Sequence, residues 1–179
     1  MFNSPSVSPE YEEQRLLALY SYDILGEGLE DELNNLVKLA AQIANVPMAY
    51  ITFVDRENII LKSAFGIGPE YKVIPRNVTV CQHTMLLNKI FVVPNVAQDP
   101  ELSANAMLSL GSGIQFYASA PLKDADGFEL GCLVLLDNVA RNLTENQIEA
   151  LETLAVQVIA QLALKRKNTQ LKTQTQRYD

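Results

Sequence analysis

Apolar and polar positions along the 179-residue chain change period several times, and each change marks an element. Between Glu30 and Ala44 the apolar residues Leu33, Leu36, Val37, Ala40, Ala41, Ile43 and Ala44 fall largely on one stripe, which predicts an amphipathic helix stopped by Asn45. A shorter helix is expected over Pro9–Tyr20, with Ser8 as cap, Pro9 in the first turn, and Glu10, Glu12 and Glu13 favouring the positive end of the helix dipole. The period then drops to that of strands. Ala49–Asp55 and Ile59–Phe65, rich in β-branched and aromatic residues, read as a hairpin turned by Arg56, Glu57 and Asn58, and Gly66–Pro69 closes it.

Residues 70–113 lose this regularity. They predict a strand at Val78–Val80 or just before it, a short helix near His83–Leu87, a strand at Ile90–Val93, and short helices flanking Asp99-Pro100 and over Ala104–Leu110. A long mixed segment inside a compact domain more often carries function than connection. Ile114–Leu122, a β-rich run, and Leu130–Asp137, an apolar run, read as two further strands joined by a turn at Lys123–Gly127. Thr144, Glu145, Asn146 and Gln147 match a capping box, in which Thr144 caps the helix and Gln147 reaches back to it. The helix beyond places Ile148, Leu151, Ala155, Val158 and Leu162 on an a/d heptad seam. Lys165, Thr169 and Lys172 break that seam, while Leu164 and Leu171 suggest a shifted one.

Composition bounds the reading without changing it. Hydrophobic residues make up 48% and charged residues 20%, enough to build one core, and the length suits one domain with extra helix. A net charge of −7 argues against broad electrostatic binding to nucleic acid or to an anionic membrane. The acidity is uneven, since Lys165, Arg166, Lys167, Lys172 and Arg177 make the tail basic. Cys81 and Cys132 show no disulfide framework and no zinc spacing, which suits reduced thiols. No signal-peptide pattern opens the chain, and no uninterrupted apolar run reaches about 18 residues. The expectation is a cytoplasmic protein without membrane insertion or nucleic-acid binding.

Several groups of residues, taken together, resemble the GAF domain. Near the start are Glu13-Gln14-Arg15-Leu16-Leu17-Ala18-Leu19 and Tyr22-Asp23-Ile24-Leu25. Val46-Pro47-Met48-Ala49, Phe53-Val54-Asp55 and Lys62-Ser63 follow. Cys81-Gln82-His83-Thr84, Val92-Val93-Pro94-Asn95 and Asp99-Pro100 occupy the middle. Phe116–Leu122, Asp126-Gly127, Leu130-Gly131 and Leu143-Thr144 with Gln147 complete the set. The type is that found N-terminal in bacterial histidine kinases and diguanylate cyclases. The resemblance implies an α+β fold: a GAF-like antiparallel sheet with N- and C-terminal helices on one face, and loops and short helices covering a pocket on the other. It divides the chain into a flexible lead-in (1–8), a sensor domain (9–164) and a polar helical tail or linker start (165–179).

With that fold, the expected pocket residues are Phe116, Tyr117 and Ser119 from the strand, and Phe65, Cys81, His83 and Asn105 from the cover. Cys81 and His83 form a Cys-x-His pair, but Gln82 intervenes where a bilin-binding GAF domain has adjacent Cys and His, and zinc lacks a ligand set. No covalent bilin and no metal are therefore expected. Cys132 reads as a core cysteine, and Asp55 and Asp137 read as turn caps; no catalytic constellation stands out.

The resemblance implies a regulatory sensor domain in signal transduction, such as a two-component system. It would bind a small molecule, or dimerise, or both, and act through its C-terminal helix on an output module outside this chain. Ile148, Leu151, Ala155, Val158 and Leu162 are its dimer-helix candidates, with intradomain packing as the competing role. The alternatives are a stand-alone thiol-dependent reductase of a small oxidised metabolite, of the free methionine sulfoxide type, and a ligandless dimerisation scaffold.

Overall fold

The computed structural model describes residues 7–24, 26, 28–68, 72–76, 89–103 and 113–178. The first helix, α1 (Pro9–Ser21), is capped by Ser8, whose hydroxyl accepts from the Tyr11 N–H at 3.2 Å. The second, α2 (Glu30–Ala44), begins with Glu30, Asp31 and Glu32 at its positive dipole end. It ends at Asn45, which takes the left-handed conformation (φ 54°, ψ 47°) that short polar side chains tolerate.

Six strands form one antiparallel sheet. They are β1 (Met48–Val54), β2 (Asn58–Phe65), β3 (Val73–Pro75), β4 (Phe91–Val93), β5 (Phe116–Lys123) and β6 (Glu129–Asp137), in the spatial order β3-β2-β1-β6-β5-β4. The central β1–β6 pair joins the two halves of the chain, and Gly131 makes that pairing close: a Cβ there would overlap the Thr52 carbonyl oxygen. A bulge separates the Ile51↔Ser63 pairing from Thr52↔Leu61. The three-residue β3 is an edge strand ended by Pro75, which cannot donate to a further neighbour.

A 3₁₀ turn (Val96–Gln98) and the one-turn helix α3 (Pro100–Ser103) lie on either side of Asp99, whose carboxylate accepts from the Leu102 N–H at 3.1 Å. The expected strand at Val78–Val80 and the expected helices near His83–Leu87 and over Ala104–Leu110 lie outside the described residues. The last helix, α4 (Glu145–Gln176), spans 32 residues, or about 48 Å. Its capping box is complete: Gln147 N–H donates to Thr144 Oγ1 and Thr144 N–H to Gln147 Oε1.

Two buried layers flank the sheet. On one face α1, α2 and α4 pack over Ala49, Ile51 and Phe53 of β1, Phe116, Ala118, Ala120 and Leu122 of β5, and Leu133 and Leu135 of β6. The opposite face gathers Tyr50, Val54, Ile59, Tyr117, Cys132, Val134 and Leu136 with Val96, Leu102 and Ile114. On β1 and β5 period-two alternation sends successive residues to the two layers in turn, while bulges break it in β2 and beside Leu130 of β6.

The heptad seam of α4 belongs to the helix-side layer. Leu151, Ala155, Val158 and Leu162 are at most 5% exposed and pack within the domain against β5 and α2, with Ile148 at the margin. In this structure Leu151, Ala155, Val158 and Leu162 meet the domain's own sheet and α2, the intradomain role that competed with a dimer seam. A second row, Thr153, Gln157, Ala160, Leu164, Lys167 and Leu171, has the same alternating spacing and faces outward along the exposed side. By length and composition α4 meets the requirements of a membrane-crossing helix, but its buried apolar residues are those seated on the sheet.

Candidate functional site

Hydroxyl groups concentrate on the sheet face opposite the helices. The register sets Ala64, Tyr50, Val134, Ser119 and Phe91 in one row across five strands. Tyr117 lies in the next row with Leu136 and Val93, and Thr52 in the row with Cys132 and Pro121. Tyr50, Thr52, Tyr117 and Ser119 are each at most 3% exposed. Thr52 Oγ1 donates to the Cys132 carbonyl at 3.3 Å, and the rings of Tyr117 and Phe91 meet edge-on at 6.3 Å between centroids. Ser119 differs from these. Its hydroxyl is buried and has no hydrogen-bond partner among the described residues. These residues set a few directional polar groups into an otherwise apolar buried layer.

The expected pocket residues separate across the sheet. Tyr117 and Ser119 lie on the hydroxyl-bearing face. Phe116 does not: it is fully buried in the helix-side layer, because successive residues of a strand point to opposite faces. Phe65, at the end of β2 and 38% exposed, pairs with Ala49 and so also belongs to the helix side of the register. Cys81, His83 and Asn105 lie outside the described residues. Tyr50 and Thr52 join the floor although sequence reasoning did not select them. The available signal was the hydroxyl pattern itself: Tyr50 and Thr52 alternate with Ala49 and Ile51 on β1, and Tyr117 and Ser119 alternate with Phe116, Ala118 and Ala120 on β5.

The two strand-end aspartates act as turn caps. Asp137 Oδ1 accepts from the Val139 N–H at 3.2 Å, and its Oδ2 pairs with Arg141. Asp55 Oδ1 accepts from the Arg56 N–H at 2.7 Å and from the Tyr20 hydroxyl at 2.5 Å. Between β5 and β6, Asp124 holds the turn by accepting from the N–H groups of Asp126 and Phe128, and Gly127 supplies the positive φ of 85°.

A separate polar cluster seats α1. Arg15 is 1% exposed, pairs bidentately with Glu12 at 2.9 Å, and donates to the Glu129 carbonyl at 3.3 Å. Burial pushes the Glu12 carboxyl up, but the Arg15 and Arg76 guanidiniums outweigh it and hold the pKa at about 2. Burial dominates at Glu129, raising its pKa to about 7 despite Lys123 at 3.6 Å, and its Oε2 has no hydrogen-bond partner among the described residues.

Two clefts open on other surfaces. One, of about 230 Å³, lies between the end of α1 and the β1–β2 hairpin, with Leu19, Ile24, Phe53 and Ile60 among its walls. The other, of about 290 Å³, runs between β5 and α4 past Lys89, Pro121 and Val156. Neither contains the hydroxyl row. Among the described residues, no three His, Cys, Asp or Glu side chains converge as a metal-ligand group.

Comparison with known proteins accounts for this architecture. The GAF domain family matches residues 28–162. A cyclic di-GMP phosphodiesterase of Pseudomonas aeruginosa is 28% identical over 155 residues; the match covers 86% of this chain and 26% of that protein, so this chain spans about a quarter of its relative. A solved domain assigned to a two-component sensor histidine kinase protein of Sinorhizobium meliloti superposes with a TM-score of 0.66 at 19% identity, covering 82% of this chain and 99% of the other. A free methionine-R-sulfoxide reductase of Neisseria meningitidis superposes with a TM-score of 0.65 at 17% identity, covering 91% and 96%. These last two likenesses concern the fold. With the six-stranded sheet, the helices on one face and the match over most of its length, the chain belongs to the GAF domain family.

Proposed function

We propose that this GAF domain is a regulatory sensor that binds a small molecule on the hydroxyl-bearing sheet face and passes the effect through α4 to an output module, in the same polypeptide or in a partner. One observation carries the reading: the sheet separates two tasks. Its helix side anchors α4 through Leu151, Val158 and Leu162, while its other side buries Ser119, whose hydroxyl has no partner among the described residues, next to Tyr117 and in the same cross-strand row as Tyr50. A ligand that hydrogen-bonds Ser119 shifts the domain only in so far as it prefers one of two helix arrangements.

The outward row of α4, centred on Leu164 and Leu171, is the dimer contact in this reading. Its polar continuation, fully exposed in the monomer, gains a partner by pairing in parallel with a second copy. The relationship to a cyclic di-GMP phosphodiesterase and the likeness to a histidine kinase domain support an output in nucleotide second-messenger or phosphorelay signalling.

A thermal-shift screen of cellular small molecules tests the ligand. At least one compound should raise the melting temperature of the wild type and leave Ser119→Leu, whose side chain fills the floor, unmoved. Equal shifts in both proteins would place binding elsewhere, and no shift across the screen would favour a ligandless scaffold.

A second reading, a thiol-dependent reductase, draws on Cys132, which lies on the hydroxyl-bearing face beside Thr52, and on the likeness to a free methionine-R-sulfoxide reductase. Turnover of free methionine sulfoxide by the wild type, lost in both Cys81→Ser and Cys132→Ser, would establish it in place of the sensor role.

A further inference from the structure

Helix α1 is held along one flank to the β1–β2 turn, and its last residues and the connector after them are held to α4. Near its start, Glu12 accepts from Arg15 at 2.9 Å and from Arg76 at 2.5 Å. Arg76 follows the last residue of β3, and it also reaches the carbonyls of Asp55 and Arg56 in the β1–β2 turn, at 3.3 Å each. Glu13 pairs with Arg56 at 2.6 Å, and the Tyr20 hydroxyl donates to Asp55. The flank of α1 is thereby tied to the β1–β2 turn and to the point where the chain leaves β3.

The end of α1 grips α4. Arg166 donates to Ser21 Oγ at 2.8 Å, and its guanidinium lies 4.1 Å from the centroid of the Tyr22 ring. Lys165 donates to the Asp23 carbonyl at 3.3 Å. Both basic residues come just after Leu162, the last buried position of α4, so the grip falls where α4 leaves the domain.

Two features give this arrangement room for a second position. The 230 Å³ cleft lies against the C-terminal part of α1, walled by Leu19, Tyr20, Asp23 and Ile24. The α1–α2 connector holds Asp23 (φ 50°), Gly28 (φ 102°) and Leu29 (φ 74°) in left-handed conformations, and for leucine that is an uncommon state maintained by its surroundings.

We propose that α1 is a lever, spanning about 15 Å from Glu12 to Tyr22, that couples the β1–β2 turn and the exit of β3 to the exit of α4. In its gripped position Arg166 lies on Tyr22 and the departing helix is fixed to the connector. In its released position the end of α1 tilts toward the cleft, Arg166 enters solvent, and the overhang of α4 is free to reorient. The inference rests on the sensor reading only in taking the hydroxyl-bearing face as its input; the mechanical coupling exists with or without a ligand. Ion pairs and a cation–π contact are weak individually, which suits a contact that must be made and broken.

Hydrogen exchange followed by mass spectrometry on the full chain, without ligand, tests the coupling. Arg76→Met removes the tie between α1 and the exit of β3 and leaves the Glu12–Arg15, Glu13–Arg56 and Tyr20–Asp55 contacts in place. It should speed exchange at residues 163–168 by roughly threefold to tenfold, as Arg166→Met does directly, and the double variant should go no further than Arg166→Met. Val37→Ala, in the α2 core, supplies the uniform acceleration expected from lost stability alone, above which the α4 exit must rise. Tyr20→Phe, which removes one hydroxyl, should act in the same direction with less effect. The lever is overturned if Arg76→Met changes exchange only over residues 9–16 and 72–76, or if its effect at the α4 exit adds independently to that of Arg166→Met. Failure to find a ligand leaves this measurement intact, and failure here leaves the Ser119 screen intact.

Discussion

Arg166 of α4 stacks on Tyr22 of the α1–α2 connector, with 4.1 Å between its guanidinium carbon and the ring centroid, at the place where α4 parts from the sheet. Tyr22 is 3% exposed and Arg166 only partly buried, so the contact is a buried ring meeting a charge at the surface. A double-mutant cycle of Tyr22→Leu and Arg166→Gln should give a coupling of about 0.5–1 kcal/mol by urea unfolding. A coupling near zero would mean that the stack forms without contributing.

Gly131 is expected to be the least replaceable glycine in the sheet. A methyl group there overlaps the Thr52 carbonyl, which belongs to the central β1–β6 pair and cannot swing aside as a side chain can. Gly131→Ala should destabilise the domain by about 3 kcal/mol. Gly127→Ala disturbs only an exposed turn with φ 85° and no neighbour within contact, at a cost of about 1 kcal/mol. Chemical denaturation of both variants checks the order.

Stability should pass through a maximum in mildly acidic solution because Glu12 and Glu129 titrate in opposite senses. The pKa of Glu12 is lowered to about 2 from 4.5, so its contribution is present above pH 4.5 and is lost as pH falls toward 2. Glu129 is raised to about 7 from 4.5, so the folded state binds the extra proton and stability declines as pH rises from 4.5 through 7. The decline is expected to be at most about 3 kcal/mol. Glu129→Gln should flatten the profile between pH 5 and 8 and leave the acid limb alone. An unchanged slope in that variant would assign the neutral limb to other groups.

The two rows of α4 should respond to substitution in different ways. Leu162→Ala empties a site in the helix-side core and should cost about 3 kcal/mol without altering the molecular mass in solution. Leu164→Glu with Leu171→Glu changes residues that are 54% and 61% exposed, and should leave the monomer's stability nearly intact while shifting a dimer toward monomer. Sedimentation equilibrium distinguishes them; a wild-type protein that is monomeric at high concentration would remove the dimer from the proposed function.

Where local chemistry was decisive, the chain was legible without a structure. The bounds of α2, its stop at Asn45, the Thr144–Gln147 capping box and the strands around Phe53, Ala118 and Val134 all follow from periodicity and from groups that satisfy their own backbone neighbours. The candidate site was legible only in part. Alternation separated Tyr117 and Ser119 from Phe116, but both faces of β5 are buried, so hydrophobicity did not distinguish the helix side from the hydroxyl-bearing side. Cross-strand register made that distinction by aligning Ser119 with Val134 and Tyr50.

By itself the sequence determined the period, length and punctuation of the elements, and its assembled motifs indicated the GAF fold. These depend on residues within a few positions of one another, where backbone geometry and capping act. Tertiary structure decided what each apolar face meets. It turned the heptad row of α4 onto the domain's own sheet, left Leu164 and Leu171 outward, set Arg76 beside Glu12, and laid Arg166 on Tyr22. Such pairings join residues far apart in the chain. A heptad looks the same whether its partner is a sheet or a second helix, because burial of apolar surface has no preferred direction and only the packed fold supplies one.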